Sequence, residues 1–375
     1  MARSRSPLRI CFSPLAVSPH NFCGLRFIRS ARRGNLASLG HGTLGYTRKY
    51  MSVCEGKNIL LLKPRGFCAG VVRAIDIVRL ALETFGPPIY VRKEIVHNRF
   101  VVEELSAKGA VFVEEVDEVP DGQMVIYSAH GVAPEVREAS KRRQLRVLDA
   151  TCPLVTKVHV EAVRFAKEGY SLILIGHRDH DEVIGTLGEA PAVTQVVGSV
   201  DDVDEISVPD PSRVAYLTQT TLSLDETAGI ISALRKKFPL IKGPAAHDIC
   251  YATQNRQTAV KDVAAESDLL LVVGSTNSSN SNRLVEVARK LGTSAHLIEN
   301  CQSIKPEWLN GVRTLALTAG ASAPECLVEE VVAYLATQGF TDVREVEVMP
   351  ENVRFGLPPE LVEAIGGADM VEAEA

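Results

Sequence analysis

From Lys57 onward the chain alternates short apolar runs with longer stretches of helical spacing, a pattern that restricts it to layered α/β architecture. Strands are expected at Ile59–Leu62, Ile89–Val91, Val111–Val113 and Val125–Tyr127, with helices near 71–85, 98–108 and 134–143. A second group runs through Leu145–Leu148, a helix over 154–167, Leu172–Ile175, Thr194–Val197, Val214–Leu217 and a helix over 225–238. A third has a helix after Cys250, then Leu269–Val273, a helix over 281–291, His296–Ile298, Thr314–Leu317 and a helix over 325–336. The expected organisation is an extension over 1–56, three similar strand-helix lobes over 57–149, 150–246 and 247–345, and an acidic C-terminal tail over 346–375 whose end, Glu372 to Ala375, is solvated.

Each group supplies one cysteine in a loop between a short strand and a helix: Cys68, Cys152 and Cys250. In such loops free backbone N–H groups can bond a thiolate and lower its pKa, and Pro153 directly after Cys152 suits a cluster ligand. The three read as one shared metal site about which the lobes are arranged, and on a four-iron cluster they leave one iron open to substrate. Cys54, Cys301 and Cys326 carry no such context and are expected to be structural, while Cys11 and Cys23 fall in the extension.

Ligands of parallel α/β sheets gather beyond the carboxyl ends of the strands, and polar residues collect in the loops expected there. They include His97-Asn98, Ser128-Ala129-His130-Gly131, His177 to Glu182, Thr218-Gln219-Thr220-Thr221, Gly274 to Asn282 and Thr318 to Pro324. Imidazoles, hydroxyls and an amide beside helix N-termini suit a phosphate or diphosphate. Two imidazoles and a carboxylate in His177-x-x-His180-x-Glu182 could also bind zinc, but the spacing lacks the i, i+4 helical geometry, and Glu182 is assigned to proton delivery.

The charge is asymmetric. Residues 1–50 hold nine Lys or Arg and no Asp or Glu, so the rest, with 32 basic and 46 acidic residues, carries −14. An acidic body argues against nucleic acid, and no apolar run is long enough to span a bilayer. The basic start is read as disordered or untranslated ahead of Met51, giving a cytoplasmic protein of bacterial type; a transit peptide would instead place it in an organelle.

The segments Pro64-Arg65-Gly66-Phe67-Cys68-Ala69-Gly70-Val71, His97-Asn98-Arg99, Ser128-Ala129-His130-Gly131, Asp149-Ala150-Thr151-Cys152-Pro153-Leu154-Val155, Thr218-Gln219-Thr220-Thr221, Ile249-Cys250-Tyr251-Ala252-Thr253 and Ser278-Ser279-Asn280-Ser281-Asn282-Arg283 resemble the 4-hydroxy-3-methylbut-2-enyl diphosphate reductase family, over about residues 57–340. The resemblance implies a 4Fe-4S cluster held by Cys68, Cys152 and Cys250, reductive loss of the substrate's allylic hydroxyl, and ferredoxin or flavodoxin as electron donor. It further implies that His97, His130, His180, Ser278, Ser279, Asn280 and Ser322 hold the diphosphate, that Thr220 sits by the hydroxyl, and that Glu182 delivers the proton. His177 is not carried over. Asp181 stands where the family commonly has proline, and Ile184 where it often has glutamate. A non-redox iron-sulfur dehydratase and an iron-sulfur sensor are the competing classes.

Overall fold

The computed structural model describes residues 56–366. The elements are, in chain order, β1 (Lys57–Lys63), α1 (Ala69–Phe85), β2 (Ile89–Arg92), α2 (Arg99–Ala107), β3 (Ala110–Val113), β4 (Met124–Tyr127), α3 (Pro134–Arg142) and β5 (Arg146–Asp149). There follow α4 (Pro153–Lys167), β6 (Ser171–Ile175), α5 (Asp181–Glu189), β7 (Thr194–Val197), α6 (Asp202–Glu205), β8 (Val214–Thr218) and α7 (Leu224–Lys237). The last group is α8 (Tyr251–Ala264), β9 (Leu269–Val273), α9 (Ser279–Lys290), β10 (Ser294–Ile298), β11 (Thr314–Ala319), α10 (Glu325–Thr337), β12 (Phe340–Glu347) and α11 (Pro359–Ala364).

Three sheets result, ordered β3-β2-β4-β5, β7-β6-β8 and β10-β9-β11-β1-β12, and every pairing among these strands is parallel. Parallel sheets are covered on both faces, so central strands can be apolar throughout. Leu269–Val273 is buried at every position, as are Met124–Tyr127 and Val214–Thr218. No helix among the described residues is long and apolar enough to cross a membrane.

Two placements differ from the expected grouping. β1 lies in the third sheet, between β11 and β12, with Asn58 beside Thr314 and Leu62 beside Val346. Only after Lys63 does the chain cross to the first lobe, where α1 packs through Ile75, Ile77, Val78 and Ala81 against the β2 and β4 side chains. Residues 346–366 of the expected tail are also built into the fold. Val346 and Val348 pack on the third lobe, Leu361 is fully buried against the first, and Glu351 pairs with the wholly buried Arg256. The expected solvated end at Glu372 to Ala375, like the extension over 1–55, lies outside the described residues.

A repeated crossing results. Cys68 sits where the chain passes from the third sheet to α1, Cys152 where it passes from β5 to α4, and Cys250 where it passes from the second lobe to α8. Each cysteine N–H donates to the carbonyl two residues beyond a strand of the lobe being left: Cys68 to Ala321 (3.2 Å), Cys152 to Ala129 (3.0 Å) and Cys250 to Thr220 (3.0 Å).

Candidate active site

All three cysteines are N-cap residues, of α1, α4 and α8 respectively, so each precedes a turn of unpaired backbone N–H groups. They share the floor of one cavity, about 680 Å³ of empty space open to solvent. The thiols of Cys152 and Cys68 meet over Gly70, where a Cβ would stand 2.7 Å from the Cys152 Sγ and 3.9 Å from the Cys68 Sγ. Any side chain at Gly70 would fill the space the sulfurs face. Cys250 Sγ accepts from the Thr253 N–H (3.4 Å) and contacts its hydroxyl (3.2 Å).

Cys152 and Cys250 are not made acidic by their helices, contrary to the expectation from the loops. Burial pushes Cys152 up to about 12 and Cys250 up to about 11, and the neighbouring cysteines add to both. Bonds from the backbone N–H groups of Leu154 and Val155 and from Thr253 act in the opposite sense and lose. Such thiols become thiolates when a cation joins them. Three soft donors around a glycine-cleared space fit a cluster of several irons better than one ion.

Glu182 enters the same cavity from the first turn of α5 and is 3% exposed. Its Oε1 accepts from the Thr220 N–H (2.6 Å) and its Oε2 from the Thr220 hydroxyl (3.0 Å). Burial raises its carboxyl to about 7 and the charge of Asp248 adds to this, while the two Thr220 bonds oppose it. At neutral pH such a carboxyl is divided between acid and base, the state a proton donor needs.

The imidazoles form one packed group. His97 stacks on His130 at 4.0 Å and 19°, and His180 meets both edge-on, at 5.5 and 5.7 Å. Burial and neighbouring imidazoles hold His130 well below the ordinary histidine range and lower His180 to about 4. His180 caps α5, its Nδ1 accepting the Glu182 N–H at 3.2 Å, so the neutral ring carries its proton on Nε2. Ligand atoms of His97, His130 and Asp181 lie within 4.8 Å of one another.

Ser278 caps α9 and accepts from the Ser281 hydroxyl at 3.0 Å, and Ser322 donates to the His97 carbonyl at 3.0 Å. Asn280 donates to Thr253 Oγ1 (3.2 Å) and accepts from the Ala321 N–H (3.0 Å), tying this loop to Cys250 through Thr253. Ser279 donates to the Thr221 carbonyl at 3.3 Å. Every residue singled out as a ligand or catalyst from the sequence lines this cavity: Cys68, Cys152, Cys250, His97, His130, His180, Glu182, Thr220, Ser278, Ser279, Asn280 and Ser322. His177 does not; its ring nitrogens face Gln219 Oε1 (3.2 Å) and Arg283 (3.0 Å), which dismantles the zinc alternative. Cys301 is half-buried against the third core and Cys326 is exposed.

The sequence reading missed Thr253 and Gly70 as parts of the site. A cysteine N-cap with threonine three residues on is the signal for the first, since that spacing returns the threonine to the cap. The second has no signal short of knowing that two thiols converge on it.

Fold and site together define an α/β protein in which three lobe crossings gather cysteines beneath an anion-suited wall of imidazoles and hydroxyls. A family model described as LytB protein matches residues 59–336. The chain is 58% identical over 307 residues, 81% of its length and 98% of the relative's, to a 4-hydroxy-3-methylbut-2-enyl diphosphate reductase of Actinobacillus pleuropneumoniae. It is similar in structure to the E-1-hydroxy-2-methyl-but-2-enyl-4-diphosphate reductase of Plasmodium falciparum, with TM-score 0.81 and 43% identity over 83% of this chain and 98% of that one. A second solved reductase, described as the terminal enzyme of the non-mevalonate pathway, matches with TM-score 0.55 and 32% identity, over 75% of this chain and 99% of that one. The chain belongs to the LytB family.

Proposed function

We propose that this chain reduces 4-hydroxy-3-methylbut-2-enyl diphosphate to isopentenyl and dimethylallyl diphosphate, closing the non-mevalonate route to isoprenoids. The observation that carries the reading is the single cavity in which three cysteines, a carboxyl near neutrality and a wall of imidazoles and hydroxyls converge. Loss of the allylic hydroxyl takes two electrons and two protons and releases water. Cys68, Cys152 and Cys250 would hold a 4Fe-4S cluster which, when bound, supplies electrons singly and an iron free of protein ligands.

The chain's own residues do the rest. His97, His130, His180, Ser278, Ser279, Asn280 and Ser322 hold the diphosphate, and binding energy from that remote group fixes the small isoprenoid in place. Thr220, fastened to both Glu182 oxygens, orients the leaving hydroxyl. Glu182 gives it a proton so that it departs as water. His180 receives the Glu182 N–H and is kept neutral by burial, so it can donate through Nε2 to an anionic oxygen without cationic cost.

Ferredoxin or flavodoxin would deliver the electrons, in a cytoplasmic setting. The test is anaerobic reconstitution with iron and sulfide, followed by turnover with and without reductant. Product formed only with reductant supports the reductase; product formed without it points to a dehydratase, and cluster binding without turnover to a sensor.

A further inference from the structure

We infer that Glu94, which lies in the loop after β2, is a positioning residue that commits His97 to engage the diphosphate through Nε2 as a doubly protonated ring. This rests on the diphosphate reading above. Glu94 Oε2 stands 3.1 Å from His97 Nδ1 and accepts from Asn277 Nδ2 at 2.8 Å. A carboxylate only accepts, so His97 Nδ1 must carry the hydrogen. That leaves Nε2 as the ring's remaining nitrogen. A diphosphate oxygen also only accepts, so binding it requires a proton on Nε2 as well.

His180 solves the same problem in the opposite way. Its Nδ1 is an acceptor, and the neutral ring already has its proton on Nε2. One wall therefore combines a neutral donor with a donor whose charge is matched by a carboxylate 38% exposed at the side chain. Both rings donate to an anionic oxygen, but only His97 adds an opposite charge to its hydrogen bond, so the Glu94 pair makes His97 the tighter diphosphate contact.

Glu94 is held firmly. Lys93 just before it occupies the left-handed region at φ 60°, uncommon for a side-chain-bearing residue, with its N–H on the Val113 carbonyl at 2.7 Å and its Nζ on Glu114 at 2.6 Å. Asn277, from the loop after β9, meets Glu94 from the third lobe, and Ser322 of that lobe donates to the His97 carbonyl. The carboxylate thus joins His97 in the first lobe to the anion loops of the third.

In the cluster-loaded enzyme, Glu94→Gln is expected to raise the substrate KM and the inhibition constant of inorganic pyrophosphate about 10-fold, leaving kcat within about 2-fold and the cluster absorbance unchanged. Asn277→Ala, which cuts the tie to the third lobe and the 3.4 Å approach of Asn277 Nδ2 to His97 Nδ1 but leaves Glu94 on His97, is expected to raise both by no more than about 2-fold. The inference is overturned if the asparagine variant reproduces the whole effect, or if Glu94→Gln lowers kcat at unchanged KM. Pyrophosphate that fails to inhibit the unsubstituted enzyme overturns the diphosphate reading itself. A long-range proton–nitrogen spectrum of the unsubstituted protein needs no variant: it should show His97 protonated at Nδ1, and a bare Nδ1 ends the proposal.

Discussion

The cysteine floor and the imidazole wall of the cavity experience the same burial with opposite chemical results. On the floor, burial keeps Cys152 and Cys250 as thiols, groups that acquire charge when metal arrives. On the wall, burial keeps His130 and His180 uncharged while they retain an N–H to give. Glu182 is shifted by burial too, and holds a proton near neutrality. A site whose buried thiols, carboxyl and two of its three imidazoles are uncharged at rest leaves most of the charge to be brought by the cluster and the diphosphate, and it lets one cavity accept both a cationic and an anionic partner.

The largest effect should come from the floor. Cys152→Ser is expected to leave a folded chain without stable iron and without turnover, as are the same changes at Cys68 and Cys250; full iron content in any of them would break the contrast with the wall. Next is Glu182→Gln, which keeps size and hydrogen bonding but lacks the proton. It should lower single-turnover reduction by ~10²-fold or more with cluster content unchanged, and Thr220→Val should do less.

The carboxyl also sets a pH dependence. An acid near 7 loses its proton as pH rises, so kcat should fall about 10-fold per unit well above pH 7, a limb that Glu182→Gln should lack. The linked stability change has the same direction. The folded chain holds this proton up to about 7 but the unfolded chain only to about 4.5, so the contribution is full below pH 4.5 and lost as pH rises through 7. Denaturant melts at pH 5 and 8 should therefore differ by on the order of 3 kcal/mol more for the unsubstituted protein than for Glu182→Gln.

On the wall, His97→Ala or Asn280→Ala should mainly weaken substrate binding, by ~1–3 kcal/mol each, with iron content intact. Loss of iron in either would erase the separation between the two regions. The smallest effect belongs to Cys301→Ser. Its thiol lies half-buried against the third core, away from the cavity, and both iron content and turnover should stay near normal.

The alternation of apolar runs was enough to place most strands and helices, and the cysteines and polar loops could be assigned because parallel sheets put their loops on one side. What escaped was long-range or shaped by packing. β12 is a polar edge strand with only Phe340 fully buried, so its pattern does not announce a strand. α5 carries Gly185 and Gly188, which lower helical propensity. They are required because a Cβ at Gly188 would stand 2.5 Å from that of Ala133 and one at Gly185 would stand 3.3 Å from the His159 ring. β1 was grouped with its sequence neighbours because no local pattern reveals that its partners are β11 and β12.

That last pairing has a consequence for how the protein is made. The strand leading into Cys68 emerges first, yet the neighbour it needs, β11, begins about 250 residues later in the chain, and β12 comes later still. During synthesis the first two lobes can close on local contacts, while β1 waits as an unpaired apolar edge. Cys68 therefore comes into register with Cys152 and Cys250 only when the third sheet shuts around β1. Cys250 heads α8, which packs in the same third lobe, so iron offered earlier meets an incomplete ligand set and stable metal loading belongs after translation has passed β12.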